Sequence, residues 1–254
     1  GQHVYTVSFG SGSDVVVGVS GSFGTWEIWL PPFELLSATC RTIAYDHYGT
    51  GQTRVPPHLV TFENQVELLG RILSRHATTD GCVLAGDSSM TAVAIAAAHR
   101  WPEAVSGLVL VSGGLDFSPT EPVTRFVEGL RHAFGPTVAA FVEMALPEDS
   151  EGHLRSWLQD IITRTGGERA AVLVESFYSV DIRDLLGDVQ MPTVVIHGEL
   201  DAMPTSSLAA AEELAQSMPN AELLILPDTG HIPTLTRPDD VAQVITRLLR
   251  VAHP

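Results

Sequence analysis

Val83-Leu84-Ala85-Gly86-Asp87-Ser88-Ser89-Met90 is the stretch whose reading decides the fold. A short apolar run breaks at Gly86, presents a serine, and passes into an alanine-rich run over residues 91–100. The pattern predicts a buried strand, a sharp turn carrying an exposed hydroxyl, and a helix whose small residues let it lie close to a sheet. Such a turn suits attack on a carbonyl. The hydroxyl projects, and the next backbone N–H, at the helix start, faces developing negative charge. Pro102 stops the helix, and residues 105–112 (VSGLVLVS) form another apolar strand, so the whole reads as a βαβ unit.

Two later segments repeat the logic. Pro192-Thr193-Val194-Val195-Ile196-His197-Gly198-Glu199-Leu200-Asp201 is a β-branched strand that breaks at Gly198 and offers Asp201. Residues 221–226 (AELLIL) form a strand followed by Pro227-Asp228-Thr229-Gly230-His231. Upstream, Thr42-Ile43-Ala44-Tyr45 leads into Asp46-His47-Tyr48-Gly49-Thr50-Gly51-Gln52-Thr53. In this order the segments resemble the nucleophile elbow, the H-G-x-x-D, the G-H and the D-x-R-G-x-G-x-S segments of the α/β-hydrolase family. The resemblance spans nearly the whole chain and is closest to the capped bacterial esterases, lactonases and carbon–carbon bond hydrolases. Met90 replaces the second glycine of G-x-S-x-G, Tyr48 replaces Arg, Thr53 replaces Ser, and Ser20-Gly21 stands where His-Gly is common.

The resemblance implies a triad of Ser88, Asp201 and His231. His231 would take the Ser88 proton and deliver it to the leaving group, while Asp201 fixes the imidazole tautomer and stabilises its charge. Glu199 and Asp116 are rival acids, Asp201 also reads as a helix cap before Pro204, and His197 reads as structural. The oxyanion donors are expected to be the N–H groups of Ser22 and Ser89, with Phe23 as an alternative register. They would come from the loop Ser20-Gly21-Ser22-Phe23-Gly24 after the strand Asp14-Val15-Val16-Val17-Gly18-Val19. Phe23 and Met90 are candidate substrate contacts. The glycines of residues 46–53 read as turn scaffold, with His47 and Tyr48 on the pocket rim.

Composition bounds the rest. At 254 residues, 44% hydrophobic and 17% charged, the chain has material for one large core and no disorder signature. A formal net charge of −16 argues against nucleic-acid or anionic-membrane partners, both of which need clustered Lys and Arg. No P-loop, C-x-x-C or H-E-x-x-H occurs, so neither a cofactor nor a metal is expected. Cys40 and Cys82, near the starts of neighbouring strands, read as buried fillers. Residues from Gly1 onward show no charged-then-apolar leader, and a cytoplasmic location is the expectation.

The fold expected is α/β, a mainly parallel doubly wound sheet of about eight strands with helices on both faces. Residues Val4 to Phe9 are expected to form an edge hairpin with the segment after them. Thr61 caps a helix carrying Phe62, Val66, Leu69 and Leu73 on one face, and Pro238 opens a last helix. Residues 117–189 lack a strand run and read as helical pieces over 123–134, 138–145, 152–165 and 168–178. The resemblance makes them a helical cap inserted into a core of residues 1–116 and 190–254. It also implies a cofactor-free serine hydrolase acting on a carboxylic ester or lactone of a small hydrophobic molecule. Cleavage of a vinylogous diketone, or ligand binding with little turnover, are the alternatives; oligomeric state is left open.

Overall fold

Strand β1 (Thr6–Phe9) is half-buried, whereas β2 (Val15–Val19) is buried along its whole length, which marks β2 as central and β1 as an edge. The chain continues through α1 (Leu30–Leu36), β3 (Arg41–Tyr45), α2 (Phe62–His76), β4 (Cys82–Asp87), α3 (Met90–Arg100) and β5 (Val105–Val111). Then come five helices: α4 (Glu121–His132), α5 (Phe134–Ala145), α6 (His153–Thr165), α7 (Gly167–Glu175) and the short α8 (Arg183–Leu186). The sheet resumes with β6 (Thr193–Gly198), α9 (Leu208–Ser217), β7 (Ala221–Leu226), α10 (Pro233–Thr236) and α11 (Pro238–Ala252). The computed structural model describes residues 2–252.

The sheet has seven strands among the described residues, in the order β1-β3-β2-β4-β5-β6-β7. The expected hairpin does not form. β1 pairs antiparallel with β3, because β2 is flanked by β3 and β4 and has no free edge. Every other pairing is parallel. Each strand run read from the sequence makes one strand, and among the described residues no eighth appears. Cys40 and Cys82 are buried and unpaired, and β2 lies between the strands they precede and open, so these strands are not neighbours.

Alternation along the central strands splits the core into two layers. Val15, Val17, Val19, Leu84, Leu108 and Val195 face α2, α3 and α9; Val16, Val83, Ala85, Val109 and Ile196 face α1 and α11. Thr61 accepts a cap hydrogen bond from the Asn64 N–H at 3.2 Å, and Val241, Val244, Ile245 and Leu248 of α11 are buried. A third apolar cluster joins α4 to α7 with Phe23, Ile28, Met203 and Ile232 from loops at the carboxyl end of the sheet. Among the described residues no helix is long and apolar enough to cross a membrane.

The chain reverses its direction of sheet growth between β2 and β4. Loops leaving two adjacent parallel strands there diverge and open a crevice, the usual ligand position in such sheets. The register pairs Val19 with Gly86, so the Ser20–Gly24 loop emerges directly beside Asp87 and Ser88. Gly86 serves a close approach: a Cβ there would lie 3.0 Å from both the Met90 carbonyl oxygen and the Ala94 Cβ, so the start of α3 would have to shift outward.

Met90 does not line the cavity that opens beside Ser88. Its side chain is fully buried in the layer between the sheet and α2–α3. The first position of α3 aims it into the core, and the missing second glycine leaves a packed thioether. Met90→Gly is expected to lower stability by about 2–4 kcal/mol, from the void and from added unfolded-chain entropy. Urea unfolding at unchanged m-value checks this; a more stable variant would mean that Met90 is a strained intruder.

Candidate active site

Ser88 sits at φ +53°, a left-handed conformation that costs a non-glycine residue about 1–2 kcal/mol. Neighbours hold it there. Its N–H donates to the Val111 carbonyl at 2.8 Å, and its own carbonyl accepts from the Thr91 N–H at 3.0 Å and the Thr91 hydroxyl at 2.6 Å. The strand and the helix therefore both anchor the turn, and the hydroxyl points outward between them.

The Ser88 Oγ lies 2.9 Å from His231 Nε2, and His231 Nδ1 lies 2.8 Å from Asp201 Oδ2. The three residues chosen from sequence thus meet in one line. A carboxylate only accepts, so Nδ1 carries the proton and Nε2 offers its lone pair to the serine hydroxyl. Asp201 is fixed in turn: Oδ2 also accepts from the Ser206 hydroxyl at 2.9 Å, and Oδ1 accepts from the Met203 N–H at 3.0 Å. The rival acids lie elsewhere. Asp116 turns back to the Ser118 N–H, and Glu199 accepts from the Asp228 N–H. His197 is buried 3.9 Å from Asp201, and burial lowers its pKa, keeping it neutral.

Burial alone would push the His231 pKa down. The charge of Asp201, its hydrogen bond and the more distant Asp87 outweigh this and raise it above 6.5. Burial works against Asp201 too, but His231 and the donors around it hold its pKa below the ordinary carboxylate value. Asp87, beside the serine in the chain, is the second carboxyl of the site. Burial pushes it up to about 6, its Oδ2 accepts from the Gly21 N–H at 3.4 Å, and its Oδ1 has no partner.

The loop after β2 is held from beneath. A Cβ on Gly21 would lie 2.8 Å from the Ser88 Cβ, so only glycine fits this approach. The Gly21 carbonyl accepts from the Gly24 N–H at 2.8 Å and faces His47 Nε2 at 3.2 Å. Gln65 Nε2 reaches His47 Nδ1 at 3.3 Å, which leaves Nε2 as the protonated nitrogen donating to Gly21. His47 and Tyr48 are therefore buried scaffold and not rim; neither lines the cavity. The Ser22 and Ser89 hydroxyls are hydrogen-bonded to each other at 2.6 Å, tying the loop to the helix start. The N–H groups of Ser22, Phe23 and Ser89 donate to no protein atom among the described residues.

These groups open onto a cavity of about 380 Å³, roofed by α4 to α7. Its wall is apolar, with Phe117, Phe126, Phe141, Leu158 and Ile162 opposite Ser88, and it contains no lysine or arginine. Phe23 lines it as expected from sequence, its ring edge-on to Phe141 at 5.6 Å. Phe126 of α4 and Phe141 of α5 line it as well.

The sequence model of the alpha/beta hydrolase family matches residues 16–244. The chain belongs to the alpha/beta hydrolase family. It is 32% identical over 245 residues to a pimeloyl-[acyl-carrier protein] methyl ester esterase of Aromatoleum aromaticum, covering 88% of this chain and 93% of that protein. Among solved structures, a thermophilic esterase from Thermogutta terrifontis superposes with a TM-score of 0.86 at 25% identity, covering 99% of this chain and 94% of that one. The enol-lactonase of Burkholderia xenovorans shares the fold, with a TM-score of 0.84 at 20% identity over 97% and 96% of the two chains.

The electrostatics make a direct expectation. The His231 ring, followed by NMR, titrates above 6.5, and Asp201→Asn moves its pKa down, because the upward pull is removed while the burial remains. An unchanged midpoint in Asp201→Asn would show that Asp201 does not set the charge of this imidazole.

Proposed function

We propose that this alpha/beta hydrolase is a cofactor-free serine hydrolase that cleaves a carboxylic ester or lactone of a small, neutral, hydrophobic molecule. The observation that carries the reading is the unbroken Ser88–His231–Asp201 hydrogen-bonded line at the mouth of an apolar cavity. The esterase names of the 32%-identical relative and of the Thermogutta structure support ester hydrolysis as the reaction class.

In this reading the Ser88 Oγ attacks the carbonyl carbon as His231 Nε2 takes its proton. The oxygen becomes an anion received by the N–H groups of Ser22 and Ser89, which have no other partner to leave. Collapse expels the alcohol, which takes the proton back from His231. Water then gives a proton to His231 and attacks the acyl-enzyme, releasing the acid and restoring Ser88. Asp201 keeps the imidazole oriented in both halves.

The cavity sets the substrate class. Filled at the roughly 0.5–0.75 packing fraction between organic liquids and protein interiors, 380 Å³ takes ~190–285 Å³ of substrate. With no cation on the wall, Asp87 beside the serine and a net charge of −16, a carboxylate on the substrate is disfavoured. The helices between β5 and β6 act as the cap that excludes water.

A panel of nitrophenyl esters of increasing acyl length and a set of lactones, run with wild type and Ser88→Ala, tests this. Wild type is expected to turn over neutral medium-chain substrates and to discriminate against acyl chains ending in a carboxylate. Ser88→Ala is expected to lose about thousandfold or more while remaining folded. Activity of the variant within about tenfold of wild type would remove Ser88 as nucleophile. The rate should also fall as pH drops through a midpoint above 6.5, where His231 becomes protonated.

A further inference from the structure

The loop that presents His231 is held on two sides by different parts of the chain. On the core side, the Leu200 N–H donates to the Thr229 carbonyl at 2.8 Å, and Arg237 reaches the Pro227 carbonyl at 3.2 Å. On the other side the partners come from the end of α5 and the turn after it, within the inserted helices. The His231 N–H donates to the Ala145 carbonyl at 2.8 Å, and the Gly230 N–H donates to Glu148 Oε1 at 2.8 Å. Contact is close enough to require glycine at 230: a Cβ there would lie 2.5 Å from Pro147 Cδ and 2.6 Å from the Ala145 oxygen.

That turn is itself braced. Arg155 of α6 donates through Nε to the Leu146 carbonyl at 2.9 Å and through Nη2 to the Pro147 carbonyl at 3.2 Å. Its N–H donates to Asp149 Oδ2 at 2.8 Å, and the Asp149 N–H closes the turn onto the Leu146 carbonyl at 3.2 Å. Glu148 is thus presented from a fixed scaffold. The residue before Ala145, Met144, lines the cavity, so substrate contact and the hold on the histidine lie on consecutive residues of one helix end.

We infer that Glu148, braced by Arg155, is a positioning residue for the base: it locks the His231 loop to the inserted helices and so sets the imidazole against Ser88 and Asp201. The inference rests on the reading of His231 as the general base. The tether is a hydrogen bond from the Gly230 N–H to a side-chain oxygen, and it acts on the residue next to the histidine. Loss of the tether lets the loop relax away from Asp201. The charged and titratable groups around the His231 ring are His197 in β6, Asp201 after it, and Asp87 at the end of β4; Glu148 and Arg155 face its loop. Slackening the tether shifts the imidazole relative to Ser88 and Asp201 together; the Asp201 charge and hydrogen bond are the largest upward pulls on the imidazole pKa, so their weakening moves it down.

The test compares Glu148→Ala, Glu148→Gln and Arg155→Met with wild type on a neutral nitrophenyl ester. Glu148→Ala is expected to lower kcat about 10- to 100-fold with KM within about threefold, the size associated with a misplaced catalytic group. Its acid-limb midpoint should move down towards the ordinary imidazole value. Glu148→Gln keeps the accepting oxygen and should recover most of the loss; Arg155→Met should share the signature of Glu148→Ala. Histidine NMR of Glu148→Ala combined with Ser88→Ala reads the same downward shift without turnover. If kcat per folded molecule and the imidazole midpoint both stay at wild-type values, or if only KM rises, Glu148 does not position the base. If wild type hydrolyses no ester, or His231→Ala matches it, the hydrolase reading fails instead, while the NMR shift still reports on the tether.

Discussion

The site depends on one constraint, a serine kept at positive φ between a strand and the helix after it. The conformation is unfavourable by itself and persists because β5 holds its N–H and Thr91 holds its carbonyl. Two glycines make room around it. Gly86 lets the strand pass close beneath the start of α3, and Gly21 lets the neighbouring loop touch the Ser88 Cβ. The parallel pairing of β2 with β4, in the register of Val19 with Gly86, brings those two loops together. A shift of that register would separate the hydroxyl from the N–H groups of Ser22 and Ser89.

Charge is distributed around this geometry with a clear division. Asp201 has a hydrogen-bond donor on each oxygen and a histidine against it, and stays ionised despite its burial. Asp87, next to the serine that the same imidazole serves, has one long hydrogen bond and an unpartnered oxygen, and burial dominates its pKa. Two carboxyls near one base are thus tuned apart by the number of donors each receives. Among the described residues that line the cavity there is no lysine or arginine, and the positive charge beside the serine is the one that forms on His231.

Much of this was legible in the sequence, for local reasons. Ser88, Asp201 and His231 each follow an apolar strand run and a break, and the sheet brings strand ends together at one edge. The helices between β5 and β6 were legible from the absence of β-branched runs and the Pro and Gly punctuation; α4 to α7 fall close to the expected spans. What escaped was non-local. β1 passes over its sequence neighbour to pair with β3, a choice that depends on which edge of β2 is free. Met90 looked like a pocket residue, yet its direction depends on how α3 rolls against the sheet. His47 looked like a rim residue, but the loop after β3 turns it beneath Gly21. Nothing local to Glu148 signals that its carboxylate reaches Gly230, 82 residues along the chain.

The central claim is that Ser88, activated by His231, is the nucleophile of this protein. Treatment with a fluorophosphonate, followed by intact mass and peptide mapping, tests it without assuming any substrate. One phosphonyl adduct per chain is predicted, on Ser88, forming more slowly as pH falls below the His231 midpoint and absent in Ser88→Ala and His231→Ala. An adduct on Ser22 or Ser89, or no adduct on the folded wild-type protein, would contradict it.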